Sequence, residues 1–325
     1  MTSIHTNTAA IAALQTLRPL ADELNKTQGQ VSSGLRVAVA ADNVAYWSIS
    51  TTMKSDNKAI GAVQDVLALS AAVVDTTYAA AETSINLMSE IKSKLVTAHE
   101  PAADRGKVNG DITELKKQLQ ATLQAASFSG ENWLSWNTAE DSRNKEIVSS
   151  FIRNGDGTVR LGRTTYEINT PPPRTDTNVQ YFVDNGGSGE YGILSSEAFA
   201  VQAGSAKNYV IIPGATAPAS AVEMTIDDAT TGDELGDMLN TVESMTKQMT
   251  NMAASLGALT THIAMSSDFA SKLSDSVETG VSRLVDTNME EASAKLSALQ
   301  AQQQLATQSL TIANSYASNV LTLFQ

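Results

Sequence analysis

Near the start of the chain, apolar side chains fall at Ile4, Ile11, Leu14, Leu17, Leu20, Leu24 and Val31. Steps of three, four and seven predict a helix. Pro19 lies inside it, at a cost of about 3 kcal/mol in a helix interior, so a bend or a restart is expected between Leu17 and Leu20. Gly34 closes the pattern, and Asp42 is placed to cap a second, long helix. Its stripe runs Val44, Ile60, Val63, Leu67, Ser70, Val74, Thr77, Ala81, Ile85, Met88, Ile91 and Leu95. His99-Glu100-Pro101 ends that helix, since proline disfavours helical backbone before itself. A third helix carries Val108, Ile112, Leu115, Leu119 and Leu123 and stops before Ser129-Gly130. The second and third are expected to form an antiparallel hairpin.

Between about Trp136 and Thr231 the periodicity shortens. Turn signals crowd the segment: Asn154-Gly155-Asp156-Gly157, Pro171-Pro172-Pro173, Asn185-Gly186-Gly187 and Pro213-Gly214. Between them lie β-rich runs at 158–161, 165–168, 179–183 and 209–212, which predict a small module built on hairpins.

After Gly232 helical spacing returns, through Leu235, Leu239, Val242, Met245, Met249, Met252, Leu256, Leu259 and Ile263, then Phe269, Leu273, Val277, Val281 and Leu284. From Met289 a heptad seam follows: Ala292, Leu296, Leu299, Gln303, Ala306, Leu310, Ala313, Ala317, Val320, Phe324. About five heptads make a helix roughly 50 Å long. The predicted fold is mainly α with a β-rich insert, in which N-terminal and C-terminal helices pair as a long antiparallel bundle and the β module sits at the far tip.

Charge sharpens this picture. No charged side chain occurs from Leu296 to Gln325, and none from Met1 to Leu17 apart from His5. The seam is flanked by Gln300, Gln302, Gln304, Thr307, Ser309, Asn314 and Ser318 instead of Lys and Glu. Such a helix suits a site where neighbours pack it on all sides. The net charge of −13 argues against nucleic-acid partners and anionic membranes. With no cysteine, disulfides, thiolate metal sites and a cysteine nucleophile are excluded. The first residues lack a basic stretch followed by an apolar one, so no secretory signal is expected. No apolar run is read as a membrane span.

Several motifs then come together. Val31-Ser32-Ser33-Gly34-Leu35-Arg36-Val37 is followed by Ala40-Ala41-Asp42-Asn43-Val44-Ala45, then by Phe128-Ser129-Gly130-Glu131-Asn132-Trp133-Leu134. Near the other end stand Asp286, Glu290-Glu291-Ala292, Gln300, Gln304, Ala313-Asn314 and Val320-Leu321-Thr322-Leu323-Phe324. In this order, over roughly 1–135 and 235–325, the chain resembles the bacterial flagellins. The resemblance implies a layered subunit. Residues 1–33 and 286–325 would form an inner coiled coil, 34–43 and about 280–285 connectors, 44–135 and 233–280 a helical middle layer, and 136–232 an outer β-rich module.

The assembly interface expected of the inner layer comprises Ile4, Ile11, Leu14, Leu17, Leu24, Val31, Leu296, Leu299, Ala306, Leu310, Ala313, Ala317, Val320 and Phe324. The connector comprises Gly34, Leu35, Arg36, Asp42 and Asn43. The resemblance implies a structural subunit without cofactor or enzyme activity. It would polymerise with itself, and with paralogous subunits where these exist, into an extracellular filament for swimming. The same resemblance implies partners in the flagellar export apparatus, an export chaperone and the filament cap, with export that uses no cleaved signal. Tyr46-Trp47 stand where the family has a small Ala-Gly pair. The segment Ile85-Asn86-Leu87-Met88-Ser89-Glu90-Ile91 lacks both arginines through which relatives meet the vertebrate innate receptor for flagellin.

Other candidate chemistry is weak. His5, His99 and His262 show no metal spacing. Gly186-Gly187-Ser188-Gly189 lacks the Lys of a phosphate loop. Asn154-Gly155-Asp156-Gly157 has too few spaced carboxylates for calcium. Asn25-Lys26-Thr27 matches a glycosylation triplet, but on the inner helix. Two alternatives stand beside the filament subunit: a hook–filament junction protein of the same terminal design, and an adhesin or enzyme displayed on the outer module. The Met245, Met249 and Met252 stripe belongs to the middle-layer core and is soft enough to slide between packings.

Overall fold

The computed structural model describes residues 6–136, 144–168, 177, 179–184, 192–213 and 220–322, with side chains for all of these except 316–322. The chain divides into two compact units, Met1–Ala59 with Leu273–Gln325, and Ile60–Lys272.

In the first unit, α1 (Thr8–Ser33) packs on α6 (Met289–Thr322). Asn7 donates to the Ala313 carbonyl at 2.9 Å, and Lys295 pairs with Glu23. These two contacts make the helices antiparallel. Asn7 also caps α1, accepting from the Ala10 N–H at 3.0 Å. Asn288 caps α6 through the N–H groups of Glu290 and Glu291, whose carboxylates suit the positive end of the helix. Pro19 does not split α1, which runs through it without a restart. Proline deletes the bond to the Gln15 carbonyl, and both residues lie on the exposed side, where that acceptor is open to solvent.

The second unit contains most of α2 (Val44–Ala98) and α5 (Gly232–Val285), and all of α3 (Arg105–Ala125). Asp104 caps α3 at the Lys107 N–H. Lys94 meets Asp111, and Arg105 reaches the Ala98 carbonyl, so α2 and α3 run antiparallel. Thr231 and Glu234 form a reciprocal box at the start of α5: the Thr231 N–H donates to the Glu234 carboxylate at 2.8 Å, and the Glu234 N–H to the Thr231 hydroxyl at 3.3 Å.

Leu67, Val74, Met88, Ile91 and Leu95 of α2, Ile112 and Leu119 of α3, and Met245, Met249, Met252 and Leu256 of α5 are buried in one core. Trp133, Tyr166, Tyr181, Phe182, Phe199 and Tyr209 from the intervening segment join that core. One 18-residue window of α2 is long and apolar enough to cross a membrane by composition, contrary to the sequence expectation of no such run. Asp65 and Asp75 stand exposed on α2, while Val63, Leu67 and Val74 are buried, which is the pattern of an amphipathic core helix.

Among the described residues, the segment expected to be built on hairpins contains one. β2 (Asn144–Arg153) pairs antiparallel with β3 (Val159–Glu167) across the Asn154–Thr158 turn. The register shifts between Val148 and Ser150. Gly162 sits opposite Ser150, where a Cβ would lie 2.2 Å from the serine hydroxyl and would require that hydroxyl to turn away. The runs at 158–161 and 165–168 fuse into this one strand. The other pairings are short and parallel: β1 (Ser135–Trp136) with β4 (Val183–Asp184), and β5 (Asn208–Val210) with β6 (Ala221–Glu223). Between them lies the five-residue α4 (Ala198–Gln202).

Candidate functional site

The features that bear on function are the face of the α1–α6 pair and the connector at its end. Of the 26 residues of α1, only Thr27 is buried. Among the described residues of α6, only Ala292 and Leu299 are. Leu17, Leu24 and Val31 of α1 are half-buried, as are Leu296, Ala306, Leu310 and Ala313 of α6. The spacing of these half-buried positions marks the stripe each helix lays on the other, so the heptad seam lines an intramolecular contact. Ile4 and Phe324 lie outside the described residues, as do the side chains of Ala317 and Val320.

Ile11 and Leu14 are 47% and 42% exposed, and Leu305 and Ile312 are 66% and 69% exposed. The last two were not singled out by sequence reasoning. Their signal is a second stripe, Ala298, Leu305 and Ile312, at steps of seven beside the seam. Large apolar side chains therefore stand exposed on both helices of the pair. Among the described residues one ion pair, Glu23–Lys295, joins the two helices, and its Lys holds the Glu23 carboxyl below its usual range.

The connector is built almost wholly from backbone. Gly34 takes φ +71° and returns its N–H to the Gln30 carbonyl at 2.9 Å, the left-handed closure that glycine accepts most readily. Its own carbonyl accepts from the Thr287 N–H at 2.9 Å, and Leu35 bridges Asp286 in antiparallel fashion. The Arg36 and Val37 N–H groups both donate to the Val285 carbonyl, and the Arg36 guanidinium donates to the Leu284 carbonyl at 2.9 Å. The first connector thereby satisfies the last carbonyls of α5, a cation included, where the helix dipole favours one. Val37, Val281 and Val285 form a small apolar cluster with Leu35, Met53, Val277 and Leu284 around it.

Asp42 does not cap α2. Its carboxylate accepts from the Ala38 and Val39 N–H groups at 3.0 and 3.1 Å, folding the connector back on itself, and these bonds, Val39 first, hold its pKa down. Asn43 is the cap, accepting from the Tyr46 N–H at 3.0 Å. The Arg36 guanidinium lies 5.7 Å from the Tyr46 ring centroid, within cation–π range. Trp47 beside it is exposed.

α3 holds a second feature missed from the sequence. Its buried stripe uses Lys116 where Leu115 was expected; Leu115 is half-buried. The Lys116 ammonium donates to the Glu223 carboxylate at 2.8 Å and to the Met224 carbonyl at 2.6 Å. Asn109 accepts from the Ile226 N–H, and Arg105 donates to the Thr230 carbonyl at 2.6 Å. One face of α3 therefore grips the segment that leads into α5.

Among the described residues no three metal-ligating side chains converge. His99 and His262 are exposed, and His5 lies outside the described residues. An open cleft of about 680 Å³ in the first unit is lined by Lys54, Asn57, Asp275, Glu278, Ser282 and Asp286. In the segment Ile85-Asn86-Leu87-Met88-Ser89-Glu90-Ile91, the exposed side chains are Asn86, Ser89 and Glu90.

Comparison with known proteins agrees with the resemblance carried by the motifs. The family pattern described as the bacterial flagellin N-terminal helical region matches residues 4–139, and its C-terminal counterpart matches residues 239–324. Flagellin C of Rhizobium meliloti (strain 1021) is 49% identical over 330 aligned positions, covering all of both chains. Flagellin A of the same strain is 39% identical over 394 positions, and a flagellin of Brucella melitensis biotype 1 is 37% identical over 326, again with full coverage of both.

Proposed function

The chain belongs to the bacterial flagellin family, and on that premise we propose that its terminal helices complete their burial, and so become fully ordered, only against neighbouring copies. The protein is a structural subunit that polymerises into the extracellular flagellar filament used for swimming; it is not an enzyme. The observation that carries the coupling is the near absence of buried residues among the described side chains of α1 and α6, set against the exposure of Ile11, Leu14, Leu305 and Ile312. Ordering backbone costs about 1–2 kcal/mol per residue. Apolar burial returns about 25 cal/mol per Å². A two-helix contact so little buried offsets that cost only when further chains add surface. A head-to-tail contact that does not close on itself then propagates as an open helical array.

Residues 1–33 and 286–325 are proposed as the inner layer, 34–43 with about 280–285 as connectors, 44–135 with 233–280 as the middle layer, and 136–232 as the outer module. The seam residues Leu17, Leu24, Val31, Leu296, Leu299, Ala306, Leu310 and Ala313 hold the pair together. Ile11, Leu14, Leu305 and Ile312 meet other copies. On sequence spacing, Ile4 is assigned to the surface of Ile11, and Ala317, Val320 and Phe324 to the continuation of the seam. Interaction with the export apparatus, an export chaperone and the filament cap, and export without a cleaved signal, rest on family membership. The sparse charge of the terminal helices also supports an assembly little affected by salt.

Removing about 30 residues from either end of purified full-length protein tests the coupling. When seeded with filament fragments, both truncated proteins are expected to fail to elongate. Unimpaired growth would refute the proposal.

A further inference from the structure

We propose that Asn154, in the exposed β2–β3 turn, is a site of spontaneous deamidation, and that assembled subunits gain a negative charge there as they age. The tripeptide Asn-Gly-Asp occurs twice among the described residues, at 154–156 and at 109–111, in opposite settings. Asn109 and Gly110 lie in the second turn of α3, where the Gly110 nitrogen belongs to the helical ladder. The Asn109 side chain is fixed by the Ile226 N–H at 3.0 Å. Asn154 and Gly155 are exposed. Among the described residues the Gly155 N–H meets no acceptor, and its Cα hydrogens face open space.

In the reaction the Gly155 backbone nitrogen loses its proton to solvent and attacks the Asn154 carboxamide carbon. An N–C bond forms, the bond to the side-chain nitrogen breaks, and ammonia leaves with a proton from water. The five-membered imide then takes up one water at either carbonyl. Opening gives Asp, or isoaspartate with one extra carbon in the main chain. The net change is amide plus water to carboxylate plus ammonium, with no redox partner. A glycine on the attacking side offers no Cβ to hinder ring closure.

The product alters the turn. Asn154 donates to the Thr158 hydroxyl at 2.9 Å, and that hydroxyl donates to the Asp156 carboxylate at 2.6 Å. A carboxylate at 154 cannot donate, and it stands beside Asp156, which the Thr158 hydroxyl and N–H keep ionised to low pH. The turn loses a bond and gains like-charge repulsion. Isoaspartate also lengthens the backbone spanned by the Asn154 N–H to Thr158 carbonyl bond of 2.9 Å.

Native full-length protein is incubated at mildly alkaline pH and digested with trypsin. Cleavage yields the Asn154–Arg160 and Val108–Lys116 peptides, each carrying one Asn-Gly-Asp. Progressive loss of unmodified Asn154–Arg160 is expected, with Val108–Lys116 intact. In the urea-unfolded chain both peptides are expected to convert at similar rates. Gly155→Ala, which adds a Cβ into open space, is expected to slow conversion many-fold, and Asn154→Ser to remove the matching acidic band on isoelectric focusing. Equal conversion of the two peptides in the native protein, an unchanged Asn154 peptide, or an unaltered rate in Gly155→Ala would each overturn the proposal.

Discussion

The core around Met249 and the α1–α6 pair obey the same helical spacing and reach opposite outcomes. In the first, Met245, Met249, Met252 and Leu256 are fully enclosed by side chains of the same chain. In the second, two helices of 26 and 34 residues bury three described side chains between them. Periodicity shows which face is apolar, and the number of surrounding layers decides whether that face is covered. α5 has α2, α3 and the aromatic insert around it; among the described residues α1 packs on α6. The lesson lies in the flanks. Lys92 pairs with Glu243, and Lys94 with Asp111, beside the enclosed core. Among the described residues one ion pair, Glu23–Lys295, joins the open pair, and beyond Lys295 the flanks of α6 carry Gln, Ser, Thr and Asn instead.

The largest effect that would break this contrast comes from charging the open face. Leu305→Asp with Ile312→Asp is expected to abolish seeded elongation while leaving the thermal unfolding of the Ile60–Lys272 unit unchanged. Wild-type growth by the double variant would mean that other residues carry the contact. Next in size is a cavity in the closed region. Met249→Ala is expected to cost about 2–5 kcal/mol in urea unfolding of monomer. A loss no larger than that of a surface substitution would show the methionine core to be loosely packed.

Asn43→Ala removes the α2 cap, for about 1 kcal/mol. Its mark is faster hydrogen exchange at the Tyr46 amide, whereas a cap role for Asp42 would leave that amide protected. The smallest effect is a pH dependence. Lys207, then Thr231, hold Glu234 down to about 2 from an ordinary 4.5. A depressed carboxylate stabilises the folded state above its unfolded value and loses that contribution as pH falls from about 4.5 to about 2. Helix melts followed by circular dichroism should therefore drop across that window in the wild type. The slope should be shallower in Glu234→Gln, and identical slopes would remove the box from the acid response.

The helices were legible because each keeps one apolar stripe over many turns: Val108, Ile112, Leu119 and Leu123 mark α3, and Leu235 to Ile263 mark α5. Gly34 was legible too, as a glycine between two periodic runs. The cap at Asn43 was misplaced by one residue because Asp42 and Asn43 are both good caps, and only the fold-back at Ala38–Val39 decides between them. β2 escaped notice because Val148 to Ile152 is half-buried on both faces, which blurs the alternation. Lys116 escaped because a charge in an apolar stripe has no local sign of its partners, Glu223 and Met224, more than a hundred residues away. Leu305 and Ile312 were passed over because the seam beside them is the stronger stripe.

At the connector, Gly34 and Thr287 lie side by side, as do Leu35 and Asp286, and both strands lead the same way into α1 and α6. A pull on the paired terminal helices is therefore shared by two covalent backbones in parallel. The hydrogen bonds between them lie across the direction of pull and are not sheared by it. This crossing works as a two-ply splice, in which the load runs along peptide bonds and not through the weak contacts that hold its plies in register.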